Sequence, residues 1–390
     1  MNFEVNQEHE SIREAVRSLC ERFPESYWLE RDADGVFPHE LYQAMGEAGW
    51  LGIAIPEEYG GSGLGVQEAS VLMQTLAESG ACMSGCSAIH INIFGLLPVQ
   101  TFGTEEQKQR MLPPIARGEL KACFGVTEPN AGLNTTRLKT RAVRQGDKYV
   151  VHGQKVWIST AQVADKIMLL ARTTDIDDLP PGKAAAGLTL FYTDLDRSRI
   201  DVRLIEKMGR KCVDSNELFI DGLEIPVEDR IGEEGKGFKY LLHGLNPERI
   251  LLAAEAIGVG RVALEKATRY AAERQVFDRP IGMNQSIQHP LARNWVELEA
   301  ANLLAMKAAW LYDNGRECGA EANAAKYFAA EAGFRACEQA VLTHGGMGYS
   351  KEFHVERYLR EIMIPRIAPV SRELILSHIA ERVLGLPKSY

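Results

Sequence analysis

The chain has 390 residues, of which 45% are hydrophobic and 25% charged, and its formal net charge is −9. These values are typical of a globular protein with two or three domains, and the negative charge argues against nucleic acid or an anionic membrane surface as the main partner. The seven cysteines form no CxxC pair, which favours reduced thiols over a disulfide framework.

The first residues, MNFEVNQEHESIREAV, are acidic and amphipathic, unlike a secretory signal or an organelle transit peptide. No apolar run approaches the ~20 residues of a membrane-spanning helix. We therefore expect a soluble, cytoplasmic protein.

Residues 1–120 have the pattern of a helical domain. Apolar residues recur at three- and four-residue spacing over 7–23, 38–48 and 66–79, which indicates amphipathic helices. Thr104, followed by Glu105-Glu106-Gln107, is a typical start for a further helix.

Residues 121–230 change to the two-residue period of strands, for example in KYVVHGQKVWIS and AGLTLFYTDL. Gln145-Gly146-Asp147 and His152-Gly153-Gln154 are expected to form hairpin turns between short strands. We interpret this part as a small inserted β-domain, a barrel or sandwich.

Residues 231–390 return to helical periodicity. Asn246 is expected to cap a long helix that has Pro247 at its first position and runs to about Phe277. Further Ala-rich segments predict a C-terminal four-helix bundle. The predicted fold class is thus mainly α with an inserted β-domain.

Single motifs are weak evidence for chemistry. His344-Gly345-Gly346-Met347-Gly348-Tyr349 is more often a helix C-cap and turn than a phosphate site, and Trp157 at a strand end is more often a packing residue. Glu248 in a first helical turn is explained by the helix dipole alone. The sequence contains no Walker motif, no GxSxG and no cluster with metal-ligand spacing.

The order of the motifs is more specific than any one of them. The chain contains, in sequence, Thr127-Glu128-Pro129-Asn130-Ala131-Gly132, Lys155-Val156-Trp157-Ile158-Ser159, Met208-Gly209 with Asp214, Arg274 with Phe277, and the His344–Tyr349 turn. This order resembles the acyl-CoA dehydrogenase family of flavoproteins, over nearly the whole chain.

The resemblance implies FAD at the junction of the β-domain and the C-terminal bundle. Phe124, Val126 and Thr127 match the strand that lines the isoalloxazine ring, with Thr127 as a hydrogen-bonding residue. Trp157 matches the tryptophan that flanks the flavin, and Ser159 matches a hydroxyl residue that reaches flavin N5.

A second group implies a subunit contact. Arg274, Phe277, Gln285 and the backbone of Gly345 and Gly346 match contacts to the pyrophosphate and adenosine of a neighbouring subunit's FAD. The resemblance therefore implies at least a homodimer and, as is usual in the family, a dimer of dimers, that is, a homotetramer.

The family's reaction needs a carboxylate base that removes the α-hydrogen of an acyl-CoA thioester, while the β-hydrogen leaves as hydride to flavin N5. Most members carry this base in a Glu-Gly-Thr triplet, which corresponds here to Pro369-Val370-Ser371. A minority branch, including isovaleryl- and long-chain-type enzymes, carries it immediately before the arginine that matches Arg249. The resemblance therefore implies Glu248 as the base, with Asn246 and Arg249 beside the substrate, and Ser371 near the cofactor.

The chain departs from the family pattern at several positions, among them Val276 and Asp278. Gly132 is followed by Leu133 and Asn134 in place of Ser-Asp, so a hydroxyl near the FAD phosphates is missing. Pro369 has no backbone N–H where the family uses one to hold the thioester oxygen. We expect the loop to shift by one residue, so that Val370 donates instead.

The implied function is oxidation of an acyl-CoA to the 2,3-enoyl-CoA, with an electron-transferring flavoprotein as electron acceptor. The alternatives are other flavin chemistry on the same scaffold, as in an acyl-CoA oxidase, a desulfinase or a flavin monooxygenase, and a non-catalytic assembly subunit. By rough analogy, Met83, Cys86, Ile89 and His90 line the acyl pocket. The acyl group itself is left open.

Overall fold

The computed structural model describes residues 6–389, and its N-terminal part is helical. Asn6 caps the first helix. Thr104 forms the predicted capping box, because its N–H donates to the side-chain oxygen of Gln107 and its hydroxyl accepts from the N–H of Gln107. The seven helices are α1 (Gln7–Cys20), α2 (Glu25–Asp34), α3 (His39–Glu47), α4 (Val66–Leu76), α5 (Cys82–Phe94), α6 (Leu97–Phe102) and α7 (Glu105–Ala116).

The central part is one mostly antiparallel sheet. Its strands are β1 (Ala122–Gly125), β2 (Arg141–Gln145), β3 (Lys148–Ser159), β4 (Lys166–Arg172), β5 (Leu188–Asp194), β6 (Ile200–Leu204), β7 (Ser215–Pro226) and β8 (Arg230–Ile231). They lie in the order β6-β7-β3-β2-β4-β5-β8, and β1 pairs in parallel with β4.

One of the two predicted hairpin turns is correct. Gly146, at φ 67°, begins the two-residue turn between β2 and β3. The turn predicted at His152-Gly153-Gln154 is wrong, because these residues lie inside β3, where the pairing with β7 shifts register. A glycine is needed there because a Cβ on Gly153 would lie 2.7 Å from the Cα of Thr140.

The C-terminal part is a helical bundle. It comprises α8 (Gly237–Glu273), the small hairpin strands β9 (Gln275–Val276) and β10 (Arg279–Pro280), α9 (Gln285–Asp313), α10 (Gly319–His344), α11 (Val355–Glu361), α12 (Ile364–Ile367) and α13 (Arg372–Arg382). Helices α8, α9 and α10 pack together, α13 packs on α10, and the predicted fold class is confirmed.

The predicted start of the long helix is wrong. Helix α8 begins at Gly237, nine residues before Asn246, so Pro247 lies inside the helix and Asn246 is not its cap. The turns of α8 before Asn246 are stabilised by packing. The ring centroid of Tyr240 lies 4.3 Å from that of Phe102, and Leu241 is buried. This burial outweighs the loss of one helical hydrogen bond at the proline.

Helix α8 lies at the centre of the molecule, with α4 and α5 of the N-terminal part, β5 of the sheet and α9 and α10 against it. The segment Val66–Phe102 is long and apolar enough to span a membrane, but 78% of its most apolar window is buried inside the protein. Its composition is therefore that of a core segment. All seven cysteines are buried and free.

Candidate active site

Glu248 projects from α8 with one carboxylate oxygen, Oε2, enclosed by the protein and without a hydrogen-bond partner. Burial raises the pKa of this carboxyl to about 7, because a charged carboxylate loses solvation there. The charges of His90, Arg249 and Lys326 oppose this rise. Glu248 is thus a poorly solvated carboxylate surrounded by three cationic side chains.

Arg249 is the neighbour of Glu248 on the helix. Its Nη1 donates to Oδ1 of Asn246 at 3.0 Å, whereas its buried Nε has no partner. Burial lowers the pKa of Arg249, and the charge of Glu248 raises it. The three residues predicted on this stretch of sequence therefore form one local polar group.

His90 on α5 contacts a second acid of α8, Glu255. Its Nδ1 lies in close contact with Oε1 of Glu255, which is two helical turns after Glu248 on the same face of α8. Glu255 is only 1% exposed. The charges of Glu255 and Glu248 raise the pKa of His90 against the effect of burial, which favours the imidazolium form.

Lys326 on α10 connects the site to the loop around Pro369. The lysine is 1% exposed, and its Nζ donates to the backbone carbonyl of Val370 at 2.6 Å. Burial lowers its pKa to about 8. Within residues 6–389 the backbone N–H of Val370 has no hydrogen-bond partner.

The residues predicted to line the flavin lie at adjoining strand ends. The N–H of Val156 donates to the carbonyl of Thr127 at 2.9 Å, which places Thr127 next to Trp157. Trp157 is 58% exposed and has a φ of 62°, a conformation that is rare for a bulky side chain. An exposed indole on a strained strand end is typical of a binding surface.

Two further contacts join these strand ends to α5. The ring centroid of Phe124 is 6.0 Å from that of Phe94, which lies 4.6 Å from the ring of His90. The backbone carbonyl of Val126 accepts a hydrogen bond from Nζ of the buried Lys155. The predicted flavin residues and the surroundings of Glu248 therefore belong to one continuous region.

The residues predicted to contact a neighbouring subunit's FAD lie together elsewhere. Arg274, Phe277, Gln285, Gly345 and Gly346 are all exposed, and Phe277 is 93% exposed. They lie at the same end of the bundle, because α8 and α10 end there and α9 begins there.

Some residues predicted to bind the cofactor have a different local setting. Gly132 and Leu133 lie in an exposed turn, and the hydroxyl of Ser371 accepts from the N–H of Leu374 as the cap of α13.

Met83, Cys86 and Ile89, which the rough analogy places along the acyl pocket, are fully buried in the core. Of the residues named for that pocket, only His90 keeps exposed surface.

Glu255, Lys326 and Arg210 were missed by sequence reasoning. Arg210 is half-buried and lies between Ser87 on α5 and Ser159 at the end of β3. Only Glu255 has a sequence signal, a lone acid on the apolar face of a long helix, seven residues after Glu248.

Three family models match the chain in order: "Acyl-CoA dehydrogenase, N-terminal domain" over residues 6–119, "middle domain" over 123–223 and "C-terminal domain" over 235–384. The chain belongs to the acyl-CoA dehydrogenase family. It is 38% identical to acyl-CoA dehydrogenase FadE12 of Mycobacterium tuberculosis, over 100% of this chain and 99% of the relative.

Solved structures agree with this assignment. Butyryl-CoA dehydrogenase from Megasphaera elsdenii superposes with a TM-score of 0.90 at 31% identity, over 96% of this chain and 98% of that chain. A chain in a structure described as "Electron transferring flavoprotein of Acidaminococcus fermentans" gives a TM-score of 0.93 at 32% identity, over 98% and 100% of the two chains.

The cofactor of this acyl-CoA dehydrogenase is FAD. The residues present fit such a group. Trp157 offers an exposed aromatic face beside Thr127, and a Cβ added at Gly345 or Gly346 would meet no atom within 4 Å, which leaves their backbone open to a ligand.

Proposed function

We propose that the enzyme removes the α- and β-hydrogens of a saturated acyl-CoA thioester to give the 2,3-enoyl-CoA, with Glu248 as the base. The observation that carries this proposal is the unpaired carboxylate oxygen of Glu248, with its pKa raised to about 7, in a chain of this family. A base with a pKa near the working pH combines a usable ionised fraction with enough basicity.

The side chains around Glu248 support its proposed role. Arg249, His90 and Lys326 stabilise the ionised form, which is the form that accepts a proton. Burial acts in the opposite direction and makes the carboxylate a stronger base than an exposed glutamate. The side chain of Asn246 accepts a hydrogen bond from the guanidinium of Arg249 and helps to hold it in place.

The thioester oxygen needs a donor as negative charge develops on it. Pro369 cannot donate, and we propose the N–H of Val370 in its place. Two observations support this choice: the Val370 N–H is free, and Lys326 fixes the carbonyl of the same residue at 2.6 Å. Loss of one such donor commonly costs about 2.7–4 kcal/mol of transition-state stabilisation.

We assign FAD to the exposed strand ends. Thr127, Trp157 and Ser159 would hold its ring system, with Phe124, Val126, Gly132, Leu133 and Ser371 nearby, and Arg274, Phe277, Gln285, Gly345 and Gly346 would bind the distal part of a partner subunit's FAD. When bound, FAD supplies the acceptor for the hydride that leaves the β-carbon.

We further propose a homo-oligomer, at least a dimer, and an electron-transferring flavoprotein as the electron acceptor, in a cytoplasmic setting. The separation of the Arg274 group from the Glu248 region supports the oligomer, because one flavin site then needs two subunits. The similarity to a chain in the Acidaminococcus fermentans structure supports the acceptor.

The test is anaerobic titration of the purified holoenzyme with short, long, branched and ring-bearing acyl-CoAs. We expect one class to bleach the flavin absorption band in the wild type and not in Glu248→Gln. Wild-type flavin that no thioester bleaches, or bleaching that persists in Glu248→Gln at the same rate, would contradict the proposal.

A second candidate is different flavin chemistry on the same scaffold, such as an acyl-CoA oxidase, a desulfinase or a flavin monooxygenase. Pro369, which removes the usual N–H donor, favours it. Oxygen consumption or peroxide release with a thioester that bleaches the flavin would identify this candidate.

A further inference from the structure

Arg210 is a cation without an anionic partner. Its Nη1 donates to the hydroxyl of Ser87 at 2.9 Å and its Nη2 to the hydroxyl of Ser159 at 3.2 Å. Its Nε is enclosed and has no partner, and within residues 6–389 the guanidinium forms no ion pair with a carboxylate. A guanidinium withdrawn from water is costly unless an anion compensates it.

The protein's own carboxylates are not available to Arg210. Glu361 and Glu255 act on it most strongly. Glu361 accepts hydrogen bonds from Arg357 and Ser84, and Glu255 is in close contact with His90. Asp214, which also acts on Arg210, accepts hydrogen bonds from Gln162 and Asn216, so none of these three acids forms an ion pair with Arg210.

The two serine contacts of Arg210 place it near the proposed reaction site. Ser87 lies one helical turn before His90 on α5, so the two side chains share a face. His90 contacts Glu255, which lies on the same face of α8 as Glu248. On the other side, Ser159 belongs to the strand end assigned to the flavin. Arg210 thus joins the face of α5 that carries His90 to the strand end assigned to the flavin.

We propose that Arg210 binds a carboxylate carried by the acyl group, so that the substrate is the CoA monothioester of a dicarboxylic acid. A guanidinium can form two parallel hydrogen bonds with a carboxylate, which gives both affinity and orientation. The Nη atoms are held by two serine hydroxyls, so the guanidinium is oriented before the ligand arrives. This inference rests on the proposed dehydrogenation at Glu248 and specifies its substrate class.

The test compares holoenzyme activity on matched thioesters that differ only in the terminal group: pentanoyl-CoA with glutaryl-CoA, and hexanoyl-CoA with adipoyl-CoA. We expect kcat/KM to favour the carboxylate in at least one pair. In Arg210→Gln this ratio should fall by about 100-fold or more, since a buried carboxylate would lose its ionic partner. Arg210→Lys, which keeps the charge without the fork, should give an intermediate ratio.

Arg203→Gln is the matched control, since Arg203 is an exposed arginine of β6 that pairs with Asp201. It should leave the ratio unchanged. FAD content and thermal unfolding of each variant are measured alongside activity.

The inference is overturned if the wild type prefers the methyl-terminated thioester in every pair. It is also overturned if Arg210→Gln lowers both members of a pair equally while the flavin spectrum shifts, because Arg210 would then serve the cofactor. If no thioester reduces the flavin, the proposed dehydrogenation fails. The carboxylate site is then tested by the affinity for the matched thioesters, read from perturbation of the flavin spectrum.

Discussion

At the scale of single residues, the catalytic proposal depends on one carboxylate oxygen. In Glu248→Gln the amide has nearly the same shape but cannot accept the α-proton. We expect FAD content to be unchanged and the rate of flavin reduction by substrate to fall on the order of 10²- to 10⁴-fold, the usual contribution of a general base. Stopped-flow absorbance under anaerobic single-turnover conditions measures this rate.

Glu265→Gln is the control for that experiment, because Glu265 is an exposed acid on the same helix. Its rate should equal that of the wild type. A Glu248→Gln enzyme that reduces its flavin at nearly the wild-type rate would place the base on another residue.

The ionisation of Glu248 also predicts a pH dependence. Since the base acts in its ionised form and its pKa is raised to about 7, kcat/KM should rise with pH through about 7. The charged groups that act on Glu248 are His90 from α5, Arg249 and Glu255 from α8, and Lys326 from α10.

His90→Asn should move this rise to higher pH. The substitution removes a cation that stabilises the ionised Glu248, and it leaves the buried charge of Glu255 unpaired, which also disfavours a second anion. Both effects raise the pKa of Glu248. A pH profile of kcat/KM that is the same in His90→Asn and the wild type would exclude His90 as a positioning residue for the base.

Glu248 could be proposed as the base from the sequence because Glu248 and Arg249 are adjacent in the chain and match a family pattern. The residues that surround Glu248 could not be predicted from the sequence. His90, Glu255 and Lys326 lie on three helices, and each is an ordinary residue in its own segment; their roles depend on tertiary contacts that no local pattern encodes. Arg210 could not be predicted either, since nothing in the sequence of its loop indicates that the carboxylates near it in the fold have other partners.

At the scale of elements, the start of α8 illustrates the same limit. Asn246-Pro247 is a good local signal for a helix start. The helix instead begins at Gly237 because Tyr240 and Leu241 gain burial against α6 and the sheet. Tertiary packing therefore placed Glu248 in the fourth turn of a helix rather than at its positive end.

The connection between α10 and the Pro369 loop gives an element-scale prediction. Lys326→Met keeps much of the apolar stem and removes the Nζ that holds the carbonyl of Val370. A hydrogen bond from a charged group is worth about 1.5–3 kcal/mol, so we expect kcat/KM to fall about 10- to 100-fold with FAD content retained. Steady-state kinetics of the reconstituted enzyme measure this loss.

Lys307→Met serves as the control, because Lys307 is a half-exposed lysine on α9 whose ion pair with Glu321 lies outside the site. A small change is expected there. If Lys326→Met lowers only the thermal stability and leaves kcat/KM intact, the lysine is structural and the Val370 N–H is positioned by other contacts.

At the scale of the whole molecule, the order helical, β, helical could be predicted because each part keeps one apolar period over about a hundred residues. The exposed surface that results from this domain arrangement could not be predicted from the sequence. Helix α9 exposes Trp295, Val296 and Leu303, each by more than half of its surface. These residues lie on the helix that begins beside the exposed Arg274 group, and a cluster of exposed apolar side chains is typical of a protein interface.

This surface gives a prediction about assembly and cofactor together. Trp295→Asp places a charge in the proposed interface, and we expect a smaller particle by size exclusion with light scattering, together with a lower FAD content, because Arg274, Phe277 and Gln285 would no longer reach a partner's cofactor. Val143→Asp is the matched control, since Val143 is an exposed apolar residue on β2, and it should change neither. A Trp295→Asp protein that keeps the wild-type mass would exclude this face of α9 from the interface, and one that becomes smaller with full FAD content would show that a single subunit holds the cofactor.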